Sequence, residues 1–125
     1  MILAVTGGRD YNDVRALGEA LDLVHALRPF ELLVHGCATG ADTLAAVWAM
    51  SRGIHPVGVP ALWDFYGKPA GGKRNRAMLL LKPDLVVAFP GGTGTANMRA
   101  ATRAAGIPLW IYGIDILPGN QDLVS

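Results

Sequence analysis

Five short apolar runs alternate with amphipathic stretches along this chain, and the alternation predicts repeated strand–helix units. Residues 2–6, Ile-Leu-Ala-Val-Thr, form the kind of uninterrupted apolar run that suits a strand buried on both faces. Comparable runs predict strands at 31–35, 54–59, 84–89 and 109–112. Between the first two, Val14, Leu17, Leu21, Val24 and Leu27 keep a helical spacing and predict a helix over about 12–28. Asn12 is placed to cap it, Asp13 suits its first turn, and Pro29 ends it. The next helix is expected over about 40–52, with Leu44, Val47 and Trp48 facing inward and Gly53 just past its end. Two more are expected over about 72–81 and 94–105, the last closing at Gly106 with Pro108 beyond. The tail, 113–125, reads as either a short edge strand or a surface segment.

Five such units predict one domain over 1–125, a Rossmann-like three-layer α/β sandwich with a five-stranded parallel sheet. The expected strand order is 3-2-1-4-5. The chain then reverses direction between strands one and four, and the crevice at that switch point is where open α/β sheets take ligands.

Three glycine-rich turns fall where a strand ends and a helix begins. The sharpest is Pro90-Gly91-Gly92-Thr93-Gly94-Thr95. Glycines expose backbone amides, a helix start adds its dipole, and the threonines add hydroxyls, so an anion such as a phosphate is the expected guest. The plain alternative is a tight turn with a capping threonine. Neither a P-loop nor a Rossmann Gly-x-Gly-x-x-Gly pattern is present. In Gly7-Gly8-Arg9-Asp10, Arg9 is suited to a phosphate or a base edge, and Asp10 to a ribose hydroxyl or to orienting Arg9. A surface ion pair serves equally well. In the third turn, Gly36 to Asp42 with Gly40 between them, Asp42 reads either as a helix-dipole partner or as a group that holds a ribose or acts as a base. Cys37 suits the turn as a small residue and becomes a nucleophile only with a depressed pKa.

The long connection 60–76 carries Trp63, Phe65 and Tyr66 and then Lys68, Lys73, Arg74 and Arg76. Aromatics can stack on a base and cations can hold phosphate; covering the sheet edge is the plainer role. Arg74 and Arg76 are the candidates for function here, with Asn75 between them.

Composition narrows these readings. A formal net charge of +1 argues against a protein that wraps nucleic acid, although a local basic patch remains compatible. One cysteine forbids an internal disulfide, and His25, His35 and His55 are too scattered for a metal site. The apolar start breaks at Thr6-Gly7-Gly8 without a basic lead, so it reads as a strand and not as a signal peptide. No apolar run is long enough for a bilayer, and a cytoplasmic location is expected.

Taken in order, Gly7-Gly8-Arg9-Asp10, His35-Gly36 with Gly40-Ala41-Asp42, Trp63 with Gly67 and Ala70-Gly71, Arg74-Asn75 with Met78, and Phe89 to Thr95 resemble the SLOG superfamily. The resemblance is nearest to its YpsA-related branch, beside the LOG phosphoribohydrolases and the DNA-processing protein A family. It implies a nucleotide-related ligand at the glycine-rich turns, and a homo-oligomer at the family level. In LOG enzymes the motif Pro-Gly-Gly-x-Gly-Thr-x-x-Glu supplies a catalytic glutamate; that position here is Met98, while Arg74 matches the family arginine. A thioether cannot stabilise a sugar cation, so LOG-type hydrolysis requires Asp10 or Asp42 as substitute. Three functions follow as expectations. The first is binding of a nucleotide or nucleotide-derived small molecule, in the manner of a sensor and with no cofactor required. The second is N-glycosidic hydrolysis of a nucleoside 5′-monophosphate, with Asp10, Asp42 and Arg74 as candidate catalytic residues. The third is single-stranded DNA binding. No membrane partner is expected.

Overall fold

The computed structural model describes residues 1–115. Its elements are β1 (Ile2–Thr6), α1 (Val14–Leu27), β2 (Leu32–His35), α2 (Ala41–Ser51) and β3 (His55–Gly58), followed by α3 (Trp63–Tyr66), α4 (Ala70–Leu80), β4 (Leu85–Ala88), α5 (Thr93–Ala104) and β5 (Leu109–Ile111). The five strands form one parallel sheet in the order β3-β2-β1-β4-β5, as the sequence predicts.

Side chains on a strand alternate between faces, and two cores result. Leu3, Val5, Leu33, Leu85 and Val87 point to the face covered by α1 and α2, where they meet Leu17, Leu21, Val24 and Trp48. Ala4, Val34 and Val86 point to the other face and share a smaller core with Met78 of α4 and Met98 of α5. Right-handed crossovers produce this division: the chain moves outward from β1 to β3 over one face and returns to β4 over the other.

Details differ from the sequence expectations for local reasons. Asp13, not Asn12, caps α1, and its carboxylate accepts from the Ala16 amide at 3.0 Å. Val14 then sits on the outer side of the first turn, 62% exposed. On α2 the inner face is Ala41, Ala45, Trp48 and Ala49, and Val47 is 55% exposed. Alanines allow the helix to lie close to the sheet, so they set its phase, while Leu44 only packs against the core margin. Trp48 donates its ring N–H to Asp22 at 3.0 Å, which lets a large indole be buried without an orphaned donor. Gly53 follows the α2 cap at φ +72°, as expected.

The connection 60–76 holds more helix than its composition suggests. Trp63–Tyr66 make one turn, α3, and α4 starts at Ala70 behind Pro69, two residues before the expected point. After β5, residues 113–115 form a turn in which the Asp115 carboxylate accepts from the Ile111 amide at 2.9 Å. The rest of the expected tail, 116–125, lies outside the described residues.

Candidate functional site

Thr6 of β1 stands in register with Ala88 of β4, so the turns that follow them start from adjacent points on the sheet. Gly8 joins these turns. Its amide donates to the Pro90 carbonyl at 2.8 Å, and its own carbonyl accepts from the Ala41 amide at 3.1 Å. The first bond reaches the turn before α5, the second the turn before α2. A Cβ on Gly8 would lie 2.9 Å from the Pro90 carbonyl oxygen, closer than any side chain sustains. Gly40 closes the same junction from the other side: at φ +74° its Cα faces the carbonyls of Gly8 and Arg9. Thr39 adds a hydroxyl bond to the Arg9 carbonyl at 3.2 Å.

A cleft of about 530 Å³ opens over this junction. Gly7, Gly8, Arg9 and Asp10 line it from the first turn, Gly36 and Asp42 from the second, and Gly92, Thr93, Gly94 and Thr95 from the third. Arg74 and Asn75 of α4 complete the wall. The structure therefore gathers twelve of the fifteen expected residues around one cavity. Gly40, Pro90 and Gly91 lie beneath it: Pro90 and Gly40 in the contacts above, and Gly91 packed on the Gly8 amide and the Thr95 side chain.

The start of α5 carries the strongest concentration of donors. The first bond back to the turn is from the Ala96 amide to the Gly92 carbonyl at 3.0 Å, and no side chain caps the helix. The preceding amides, at Thr93, Gly94 and Thr95, belong to the set that a helix cannot satisfy internally. Asn75 ties this end to α4. It is buried, and its side-chain amide donates to Asn97 Oδ1 at 2.9 Å and to the Gly94 carbonyl at 3.3 Å. Its oxygen accepts from Arg74 Nε at 2.9 Å. Arg74 also donates from Nη1 to the Gly36 carbonyl at 2.5 Å. Two of its five donors are engaged, and its guanidinium packs where a Cβ on Gly36 would stand.

Asp42 serves the backbone of its own turn. Its Oδ2 accepts from the Gly36 amide at 3.0 Å and the Ala38 amide at 3.2 Å. Burial pushes its carboxyl above the ordinary range, although those two amides, Arg74 and His35 pull the other way. This turn-holding role is neither the helix-dipole partnership nor the ribose or base role expected from the sequence. Asp10, by contrast, is exposed at the cleft and makes no hydrogen bond or ion pair among the described residues. It neither orients Arg9 nor pairs with it. Arg9 instead lies over the Trp63 ring, 5.6 Å from its centroid.

Cys37 has φ +61° and is exposed, and burial of its surroundings together with Asp42 pushes its thiol up rather than down, against the pull of Arg74. The activation that nucleophilic chemistry needs is absent. Met98 is fully buried in the core under α5 and contributes nothing to the cleft. Asn97 was not among the expected site residues; its only signal in the sequence is its place one helical turn beyond Thr93 on α5. Among the described residues no three His, Cys, Asp or Glu side chains stand together as a metal site, and no helix is long and apolar enough to cross a membrane.

Residues 1–66 match the family described as YAcAr, the YspA, cpYpsA-related SLOG family. The Gene 61 protein of Mycobacterium phage D29 is 34% identical over 117 residues, covering 87% of this chain and 94% of its own length. Among solved structures, the structural-genomics target TM1055 superposes with a TM-score of 0.66 at 22% identity, over 86% of this chain and 71% of that one. DNA processing protein A from Streptococcus pneumoniae superposes with a TM-score of 0.71 at 20% identity, over 97% of this chain but only 53% of its own. At such identities the two structures speak for the fold.

Two expectations test this geometry. Gly40→Ala places a methyl against two carbonyls at positive φ, whereas Gly53, at φ +72°, has nothing within 4 Å of the point where a Cβ would stand. Urea unfolding should show Gly53→Ala costing about 1 kcal/mol and Gly40→Ala at least about twice that; equal losses would contradict the packed junction. His35 is held neutral by burial, its pKa below the ordinary 6.5 despite Asp42, and its Nδ1 accepts from the Cys37 amide at 3.1 Å. The folded state then binds fewer protons than the unfolded one, so stability is present above about 6.5 and declines as pH falls below it. Asp42 contributes with the opposite sign, its raised pKa making stability fall as pH climbs from 3.8. His35→Asn retains an acceptor without the titration. Its unfolding free energy should lose less than that of the unaltered chain between about pH 6.5 and 5; identical profiles would contradict the assignment.

Proposed function

The chain belongs to the YspA, cpYpsA-related SLOG family, and from that premise we propose that it binds a nucleotide or nucleotide-derived small molecule at the cleft. One observation carries the reading: the uncapped amides at the start of α5 and the guanidinium of Arg74 line a single cavity, joined through Asn75. Amides at a helix start and an arginine fork are complementary to a phosphate dianion. The cavity volume lies within the span usual for small-molecule sites. Arg9 and Asp10 stand on the first turn at the same cavity, in reach of a role at sugar or base.

Hydrolysis of an N-glycosidic bond draws less support. Met98 is buried and Asp42 is engaged with its own turn, so Asp10 is the remaining carboxylate at the cleft. A single-stranded nucleic acid has the exposed Phe65 and Tyr66, with the Lys73 ammonium 4.7 Å from the Tyr66 ring centroid, to recommend it. The small-molecule reading is preferred because the donors converge in a cavity rather than along a groove.

Calorimetry with nucleoside mono- and diphosphates and a short single-stranded oligonucleotide tests the proposal. A nucleoside phosphate should bind, Arg74→Ala should weaken it roughly 10- to 100-fold, and Arg74→Lys should fall between, since the charge survives without the fork. Thermal melting of each variant separates this from loss of the Gly36 contact. Binding of the oligonucleotide alone would favour the nucleic-acid reading, free base released by the unaltered chain but not by Asp10→Asn the hydrolase. No binding by any of them would overturn the proposal.

A further inference from the structure

A second cleft of about 270 Å³ adjoins the first. The two share Arg9, Gly36, Ala38, Trp63 and Arg74 as a common boundary. Beyond that boundary the smaller space is walled by Cys37, Thr39, Pro60 and Ala61. Its far wall therefore holds neither a cation nor a carboxylate: it is a proline ring, a methyl group, a hydroxyl and a thiol.

Two cations stand where the clefts meet. Arg9 is steadied by the Trp63 ring and Arg74 by Asn75 and the Gly36 carbonyl, and neither forms a salt bridge among the described residues. A single phosphate held by the α5 amides and Arg74, which Asn75 joins, would leave Arg9 uncompensated. A second phosphate, one linkage further on, would meet it, because Arg9 and Arg74 line the same boundary. Past the cations, the annex offers a partly apolar space beside an indole face, suited to an uncharged ring.

We infer that the site takes an organic diphosphate substituted at both ends, with its phosphates between the α5 amides and the Arg9–Arg74 boundary and its second terminal group in the annex. The inference rests on the nucleotide reading above and extends it from one compartment to two.

Cys37 is the only cysteine of the chain and lines the annex alone, so it reports on that compartment. The probes are adenosine diphosphate and diadenosine 5′,5′-diphosphate, which differ by the second nucleoside. Diadenosine diphosphate should bind at least about tenfold more tightly than adenosine diphosphate and slow alkylation of Cys37 by iodoacetamide, while adenosine diphosphate leaves the alkylation rate unchanged. Ala61→Trp, which fills the annex, should reduce the affinity for diadenosine diphosphate to that for adenosine diphosphate and leave the latter within about twofold. If that variant does not fold, the alkylation experiment on the unaltered chain still decides. Equal affinities with no protection of Cys37 overturn the two-compartment inference and leave the nucleotide reading standing. Failure of both compounds to bind removes both.

Discussion

The backbone of Gly8 is the point on which the candidate site depends. Its amide is bonded to the turn before α5 and its carbonyl to the turn before α2, so one residue fixes the positions of three loops. The parallel sheet supplies the condition for this, since β1 lies between β2 and β4 and all three end at the same edge. Loops that merely left neighbouring strands would diverge. Here they are drawn to within hydrogen-bonding distance of one another, and the contact is possible only because no Cβ intervenes at Gly8, Gly40 or Gly91.

Polar groups around that junction divide into those that hold it and those left available. Asp42 is satisfied by the amides of Gly36 and Ala38, and the penalty of its burial is offset in part by those bonds and by the nearby Arg74. Asn75 is likewise committed, with its amide and its oxygen both bonded. Left facing the cleft are the first amides of α5, part of the Arg74 fork, Arg9 and Asp10. The available set is richer in donors and positive charge than in acceptors, which is the basis for proposing an anionic ligand.

Much of this is legible in the sequence. Apolar runs of strand length, separated by helical spacing, are enough to place five strands in one parallel sheet, because such strands are buried on both faces, and the expected order 3-2-1-4-5 is the one the structure adopts. Glycine clusters at strand ends mark where backbone must come close to something. They do not say to what: a Cβ at Gly7 would meet the Ala41 and Phe89 side chains, whereas one at Gly8 or Gly40 would meet the backbone of a neighbouring turn. Side-chain roles are harder still. Asp42 has the same spacing whether it binds a ligand or its own turn, and only the positions of the Gly36 and Ala38 amides decide. The phase of α2 is misread from the sequence when large apolar residues are given more weight than the alanines that let the helix approach the sheet. The helical turn at Trp63–Tyr66 and the early start of α4 are hidden by Gly67, Gly71 and Gly72, residues that ordinarily weaken a helix.

Convergence of main-chain donors from separate turns on one anion is the central claim. The most direct measurement is a two-dimensional amide NMR titration with adenosine monophosphate. The largest shifts are expected at the amides of Gly92, Thr93, Gly94 and Thr95, accompanied by Gly7 and Gly8 and by the Arg74 side chain. Shifts confined to the α1–α2 face, or no shifts at millimolar nucleotide, would contradict it.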